Sequence, residues 1–465
     1  MKRLFTAVLL LMLGAISVMA QDNCSHFNAR QTPAWFRESI SYQILPRCFT
    51  EEGTIKGAEK HLERLKDLGV GVIYFTPLYV ADTDMDQTKW SPRQHKSGFN
   101  DPRNPYRAGD YFQIDPEYGT DQDLVDFVEK AHSLGMKVFL DIVFAHCGPG
   151  ADVVKKHPEY FLYDEKGEMV LTRWKFPKFD PEYIGTRRYF KSIMGYYLAH
   201  FNVDGFRCDV SYHTPISFWE EARAELEALK PDLVMVAEST KPYDMRYAFD
   251  AQYNWVIGKR GMRYVLDNRA EAAANGGIAF VRARHEKNAA VRPKGALHWN
   301  MSDNHDLSTD AHHNRMEKRL GNACCEVQLA FMFAIDGVPF LFNGQEIAHA
   351  KRVSLFGHKD CWIDWKTDGA TEVAKDRTEK IKAWVKMRKE QKSLCYGATE
   401  WIDNDMPADV LSFKRTYEGS DDVLFVGNFS DKQVKVKLAN GTKYTLAPWG
   451  YIFGPQTKKA FKRCN

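Results

Sequence analysis

The residues able to do chemistry fall in a few short stretches. In GFRCDVSYH (205–213) an arginine and an aspartate stand two apart inside an apolar run. On a strand, Arg207 and Asp209 then share one face while Phe206 and Cys208 share the other. A strand covered on both faces is expected to be apolar throughout, so two charges on its inward face need a reason. Taken alone, such a pair reads as a buried ion pair that holds a sheet together. Its company changes that reading: Asp141 and His146 in DIVFAH, His213, Glu238 in VMVAEST, and His305 with Asp306 in DNHD. Carboxylates without metal-ligand spacing suit glycoside chemistry: one attacks the sugar, a second protonates the leaving oxygen, and positive charge builds on the ring between them. Glu238, flanked by apolar residues, suits the acid, because burial keeps a carboxyl protonated near neutral pH. Asp209, beside Arg207, is expected to be held ionised and suits the nucleophile. Each residue also has a plainer reading, Asp141 as the partner of Arg207 and either histidine as a hydrogen-bonded structural residue.

The elements that must position these residues alternate. Apolar β-rich runs at 40–46, 70–77, 137–144, 203–210, 233–239, 246–250, 296–302 and 337–344 are separated mostly by amphipathic helical segments, including one opened by Thr120 and others near 186–201, 215–229 and 372–391. Repeated β-then-α units of this number predict an α/β fold, a (β/α)₈ TIM barrel, with the polar residues above gathered at the C-terminal strand ends. The predicted barrel takes in 21–146 and 186–392. Residues 147–185 lack a clear helix and read as a short inserted subdomain after the third strand. From 393 to 465, alternation between turn signals predicts a small C-terminal antiparallel β-domain, a sandwich.

With 465 residues, 44% apolar and 27% charged, the chain has the composition of a globular protein, and with a net charge of +3 and no basic run long enough to suggest one, no nucleic-acid partner is expected. Residues 1–20, basic at Lys2 and Arg3, apolar from Leu4 to Ile16 and small at Val18-Met19-Ala20, read as a signal peptide, so the protein is expected to be exported, periplasmic or extracellular. No later stretch has the length of a transmembrane segment. The nine cysteines form neither CxxC nor a zinc spacing; Cys208 reads as core, and Cys24 and Cys464 bracket the mature chain as one conceivable pair.

These stretches resemble the α-amylase family, glycoside hydrolase family 13, over nearly all of the mature length. DIVFAH is similar to the family's first motif, GFRCDVSYH to its second, VAES to its third and DNHD to its fourth, while FPKFD (176–180), GVPFLFNGQE (337–346) and NPYRAGDYFQIDPEYGT (104–120) resemble further family segments. The resemblance implies Asp209 as nucleophile, Glu238 as general acid/base and Asp306 as transition-state stabiliser. It also implies sugar contacts from His146, His213 and His305, stacking by Tyr106, and a nucleophile held by Arg207. The implied partner is an oligo- or polysaccharide, α-1,4-linked as in starch or maltodextrin, cleaved with retention through a glycosyl-aspartate. Transfer and α-1,6 or cyclomaltodextrin cleavage are the nearest alternatives.

No cofactor is implied for the chemistry, and a structural calcium ion is the one open metal. Ala145 stands where the family commonly has a calcium-ligating asparagine. Asp82, Asp84 and Asp86 alternate as in a calcium loop but lack the glycine and the later glutamate of an EF-hand, which favours a solvated acidic loop. Tyr212 replaces a lysine frequent in starch-cleaving members. Trp90, Trp174, Trp255 and Trp299 are candidate sugar platforms, the first two ranking higher because they lie in expected loops. Two other classes compete. A non-catalytic glycan-binding protein has no need of all three carboxylates. A metal-dependent barrel hydrolase would carry His-x-His on its first strand, where this chain has YQILPRC.

Overall fold

Eight parallel strands close into a barrel: β1 (Ser41–Ile44), β2 (Val72–Phe75), β3 (Lys137–Val143), β4 (Gly205–Asp209), β5 (Val234–Ala237), β6 (Ala251–Tyr253), β7 (Leu297–Met301) and β8 (Val338–Phe342). This computed structural model describes residues 23–258, 261–310, 315–357, 361–456 and the backbone of 461–462. The expected signal peptide and Cys464 lie outside the described residues. Alternation along each strand sorts side chains between the barrel interior and the helix layer. On β7, Trp299 and Met301 join Tyr74, Phe139 and Phe340 in one buried cluster, and the Trp299 and Phe340 rings stack at 4.7 Å.

The sixth strand differs from the expectation at 246–250. It is a three-residue strand at 251–253, where Ala251 and Tyr253 enter the interior cluster. Before it, Ala248 and Phe249 pack into the helix-side core. The Asp250 carboxylate receives Arg223, Arg30 and the Met235 amide. That network fixes the chain before the strand begins.

Between strands run α1 (Leu62–Leu68), α2 (Asp121–Ser133), α3 (Ile184–Phe201), α4 (Ile216–Leu229), α5 (Ala279–Ala289), α6 (Asn322–Ala334) and, after β8, α7 (Glu372–Glu390). Thr120 and Asp123 form a capping box on α2, whose buried face carries Leu124, Phe127, Val128 and Ala131. Among the described residues no helix is long and apolar enough to cross a membrane.

The segment between β3 and α3 holds a short helix, Asp152–Lys156, and folds back on itself through isolated bridges that pair 161 with 179, 163 with 169 and 171 with 177. Its base is tied to the loop after β2, where the Asp82 carboxylate accepts the Gly150 amide at 2.7 Å. Beyond α7, antiparallel strands β9 (Ala398–Trp401), β10 (Val410–Thr416), β11 (Val423–Asn428) and β14 (Tyr451–Pro455), with Phe461–Lys462, form one sheet; β12 (Val434–Lys437) and β13 (Lys443–Leu446) form a hairpin. One face of the sheet (Val410, Leu424, Val426, Ile452) packs on the hairpin. The other meets α6, where Phe331 contacts Phe413 and Phe425 edge-on. The layer opposite the hairpin is thus a barrel helix.

Candidate active site

Barrel register brings the first charges together. Asp141 on β3 lies opposite Arg207 on β4, and Val143 opposite Asp209. Arg207 is completely buried, and its Nη1 donates to Asp141 Oδ1 at 2.8 Å and to Asp209 Oδ1 at 2.6 Å. Its Nη2 lies 2.9 Å from Oε2 of Glu238, at the end of β5. One guanidinium therefore serves three carboxylates. Directly after Asp209, Val210 sits at φ 33°, a left-handed conformation that costs a β-branched residue about 1–3 kcal/mol. That geometry points its amide at Glu238 Oε2, 2.8 Å away, and links the two strand ends.

The electrostatics follow from burial and from this sharing. Burial, with Asp141 adding to it against the pull of Arg207, pushes Asp209 up to about 7. Burial and the neighbouring charges of Asp209 and Asp306, again opposed by Arg207, push Glu238 up to about 8. Asp306 goes the other way: burial raises it, but Arg93, His305 and Arg207 together hold it well below the usual carboxylate range. Arg207 alone was expected to keep Asp209 ionised. Its charge is divided, and Asp209 and Glu238 retain protons far above the normal range.

A hydrogen-bonded chain supports the floor. Gln43 Nε2 donates to His305 Nδ1 (2.7 Å), which leaves His305 Nε2 to donate to Tyr106 Oη (2.8 Å); Tyr106 Oη donates to Asp141 Oδ2 (2.5 Å), as does Tyr74 Oη. Burial lowers His305 to about 3 and His146 to about 4, so both are neutral imidazoles. His146 donates from Nε2 to the Tyr106 carbonyl at 2.9 Å and packs between Trp174 and Phe176.

Tyr106, His146, Asp209, Glu238 and Asp306 line one cavity of about 280 Å³. Arg207 and His305 are buried and outside its lining, and His213, also outside the lining, stands beside Trp174, 6.2 Å between rings. A second cavity of about 430 Å³, lined by Tyr212, Lys241 and Trp255, adjoins it, and the two share Arg93, Arg173, Glu238, Asp306 and Asp310.

Three of the five shared wall residues were not among the candidates. Asp310 had a readable signal, since it lies four residues after Asp306 on the helix His305–Asp310 and so shares its face. Arg93 follows Ser91-Pro92, an N-cap and first-turn signature, but nothing local shows where that helix points. Arg173 lies against Trp174, 4.4 Å from its ring centre, in the inserted segment.

The aromatic ranking is corrected in part. Trp90 is buried and donates to the Asp84 carbonyl, so it is core, as is Trp299, whereas Trp174 and Trp255 line the cavities. The three alternating aspartates do not fit a cation. Asp82 is engaged by Arg107 and Gly150, Asp84 by Lys89 and the Asp86 amide, and Asp86 by Thr88. Ala145 adds no oxygen donor. Among the described residues no group of three or more His, Cys, Asp or Glu side chains is placed to hold a metal ion.

A family model described as α-amylase, catalytic domain, matches residues 32–181 and 155–405. A cyclomaltodextrinase of Geobacillus thermopakistaniensis is 25% identical over 88% of this chain and 71% of its own length. An intracellular maltogenic amylase of Bacillus subtilis is 26% identical over 83% of this chain and 68% of its own. The crystal structure of a noncanonic maltogenic α-amylase from Thermotoga neapolitana superposes with a TM-score of 0.73 at 25% identity, covering 92% of this chain and 97% of that one. The expectation of an exported, periplasmic or extracellular protein is corrected by these relatives, since the Bacillus subtilis protein is named intracellular over a match that takes in most of this chain.

Proposed function

Because this chain belongs to the α-amylase family and is a glycoside hydrolase, we propose that it cleaves α-1,4-linked malto-oligosaccharides or related short glucans with retention, through a covalent glycosyl-aspartate on Asp209 and with no cofactor in the chemistry. The observation that carries this reading is the convergence of Asp209, Glu238 and Asp306 on one cavity with carboxyls pushed in opposite directions. A protonated Glu238 beside an ionised Asp306 is the separation of roles that glycoside cleavage needs.

In the first step an ionised Asp209 oxygen attacks the anomeric carbon while the bond to the leaving oxygen breaks, and Glu238 passes its proton to that oxygen. Glu238 Oε2 is taken by Val210 and Arg207, which leaves Oε1 to carry the proton. As Glu238 loses it, the new carboxylate sits 2.9 Å from Arg207 Nη2. In the second step Glu238 accepts a proton from water, whose oxygen attacks the same carbon and releases Asp209. Asp306 stabilises the positive charge that develops on the ring in both steps. Neutral His146 and the ring of Tyr106, backed by His305, receive the sugar being cleaved. The adjoining cavity over Trp255 suits the leaving group, and a sugar hydroxyl bound there competes with water, so transfer accompanies hydrolysis at high substrate concentration.

The test is the product profile from maltoheptaose for the wild type and Asp209→Asn. Short maltodextrins from the wild type, with turnover at least on the order of 10⁴-fold lower in the variant, are expected. A wild type that leaves maltoheptaose intact and cleaves only α-1,6-linked glucans would reject the linkage assignment, and equal turnover by both proteins would remove Asp209 as nucleophile.

A further inference from the structure

We propose that Arg93 is a positioning residue for this reaction: carried in by the short helix Pro92–Ser97, it clamps Asp306 to Asp310 so that the third carboxylate meets the substrate ionised and in a fixed orientation. The inference rests on the glycoside-cleaving role proposed above. Arg93 Nη1 reaches Asp306 Oδ1 at 2.5 Å, Nε reaches Asp310 Oδ1 at 2.7 Å, and Nη2 lies 3.5 Å from the Asp306 carbonyl. A planar guanidinium can span both carboxylates of one helix face at once, whereas a lysine ammonium is a single point charge. Arg93 takes Oδ1 of Asp306. Oδ2 is left toward His305 Nε2, 3.5 Å away, and toward the cavity.

The support behind Arg93 is built into its loop. Ser91 Oγ caps the helix by accepting the Gln94 amide, and Pro92 fills the first turn. Gln94 Nε2 donates to the carbonyls of Asp101 and Pro102, and Trp90 beside it is buried. The helix is therefore fixed on both sides before its arginine reaches across to the segment after β7.

The charges around Asp306 explain why a second cation is needed. Its own helix presents His305 and Asp310, the loop after β2 presents Arg93, and β4 and β5 present Arg207, Asp209 and Glu238. His305 is neutral, and Arg207 already serves three other carboxylates. Arg93 is the cation that Asp306 has in direct contact among the described residues. Removing it leaves Asp306 to share the burial cost that raises its two neighbours.

The test uses the full chain as wild type, Arg93→Gln and Arg93→Lys, with kcat/KM for maltoheptaose followed across pH. Arg93→Gln is expected to lower kcat on the order of 10²-fold. It is also expected to move the acidic limb of the profile up, because Asp306 then titrates in the range of Asp209, whose ionisation sets that limb. Arg93→Lys is expected to restore the limb without the full kcat. An Arg93→Gln profile with both limbs at their wild-type positions would overturn the proposal, whatever the loss of rate. If the wild type cleaves no glucan, the proposed function alone fails, and the clamp is read from unfolding. The stability difference between wild type and Arg93→Gln should then be full only above the raised pKa that Asp306 takes in the variant, and narrow as the pH falls from there toward the depressed pKa it has in the wild type. A difference independent of pH would reject the clamp.

Discussion

At the scale of the residue, the site is a problem of distributing too few cations among too many buried carboxyls. Arg207 is divided among Asp141, Asp209 and Glu238, while Arg93 attends to Asp306 and Asp310. The two acids left under-served are Asp209 and Glu238, and of these the proposed reaction moves the proton of Glu238 and needs Asp209 ionised. This arrangement costs stability in a way that pH exposes. In the unfolded chain both groups release protons near 4, whereas the folded chain holds them to about 7 and about 8. The folded state therefore loses stability as the pH rises from about 4 toward 8, the reverse of a salt-bridged aspartate. Glu238→Gln is expected to melt above the wild type at pH 8, on the order of 2 °C, with the gain fading toward pH 4. A melting temperature equal to or below the wild type at pH 8 would contradict the burial account of Glu238.

At the scale of the element, strand ends and loop bases place the chemistry. The β3 end continues through His146 into Gly148, and an added Cβ there would lie 2.3 Å from Asp82 Cβ, so only glycine lets this loop meet the one after β2. Gly148→Ala is expected to lower stability by about 1–3 kcal/mol in urea unfolding and to weaken substrate binding through His146. An unchanged unfolding midpoint would show that this contact is dispensable. What the sequence made legible follows the same division. β3, β4, β5 and β7 were readable because apolar runs ending in charged or imidazole side chains carry both the element and its function. β6 was misplaced because a three-residue strand has too short a period to stand out, and the apolar residues before it are drawn into the helix layer. Trp90 and Arg93 sit three apart in one loop, and only tertiary contacts decide that the first is buried while the second reaches Asp306. Asp310 was legible from its spacing on the helix and was overlooked.

At the scale of the molecule, the barrel supplies rigidity and the inserted loops supply shape. Arg173 and Trp174 of the inserted segment, Arg93 of the β2 loop and Leu355 with Phe356 after β8 close around strand ends that would otherwise be open. The C-terminal sheet is joined to the barrel by apolar contact with α6 and by Arg415, buried, which donates to the carbonyls of Ala334 and Gly397. Such a frame holds Asp209, Glu238 and Asp306 in fixed relation, and the account stands on the proposed identity of Asp209 as nucleophile. The most direct measurement is to incubate Glu238→Gln with α-maltosyl fluoride, quench, digest and weigh the peptides. Fluoride leaves without an acid, so the first step proceeds, while the second lacks its base and the intermediate accumulates. The expected result is one maltosyl increment on the peptide that contains Asp209, absent from the double variant with Asp209→Asn. An increment on another residue, or its persistence in the double variant, would contradict the account.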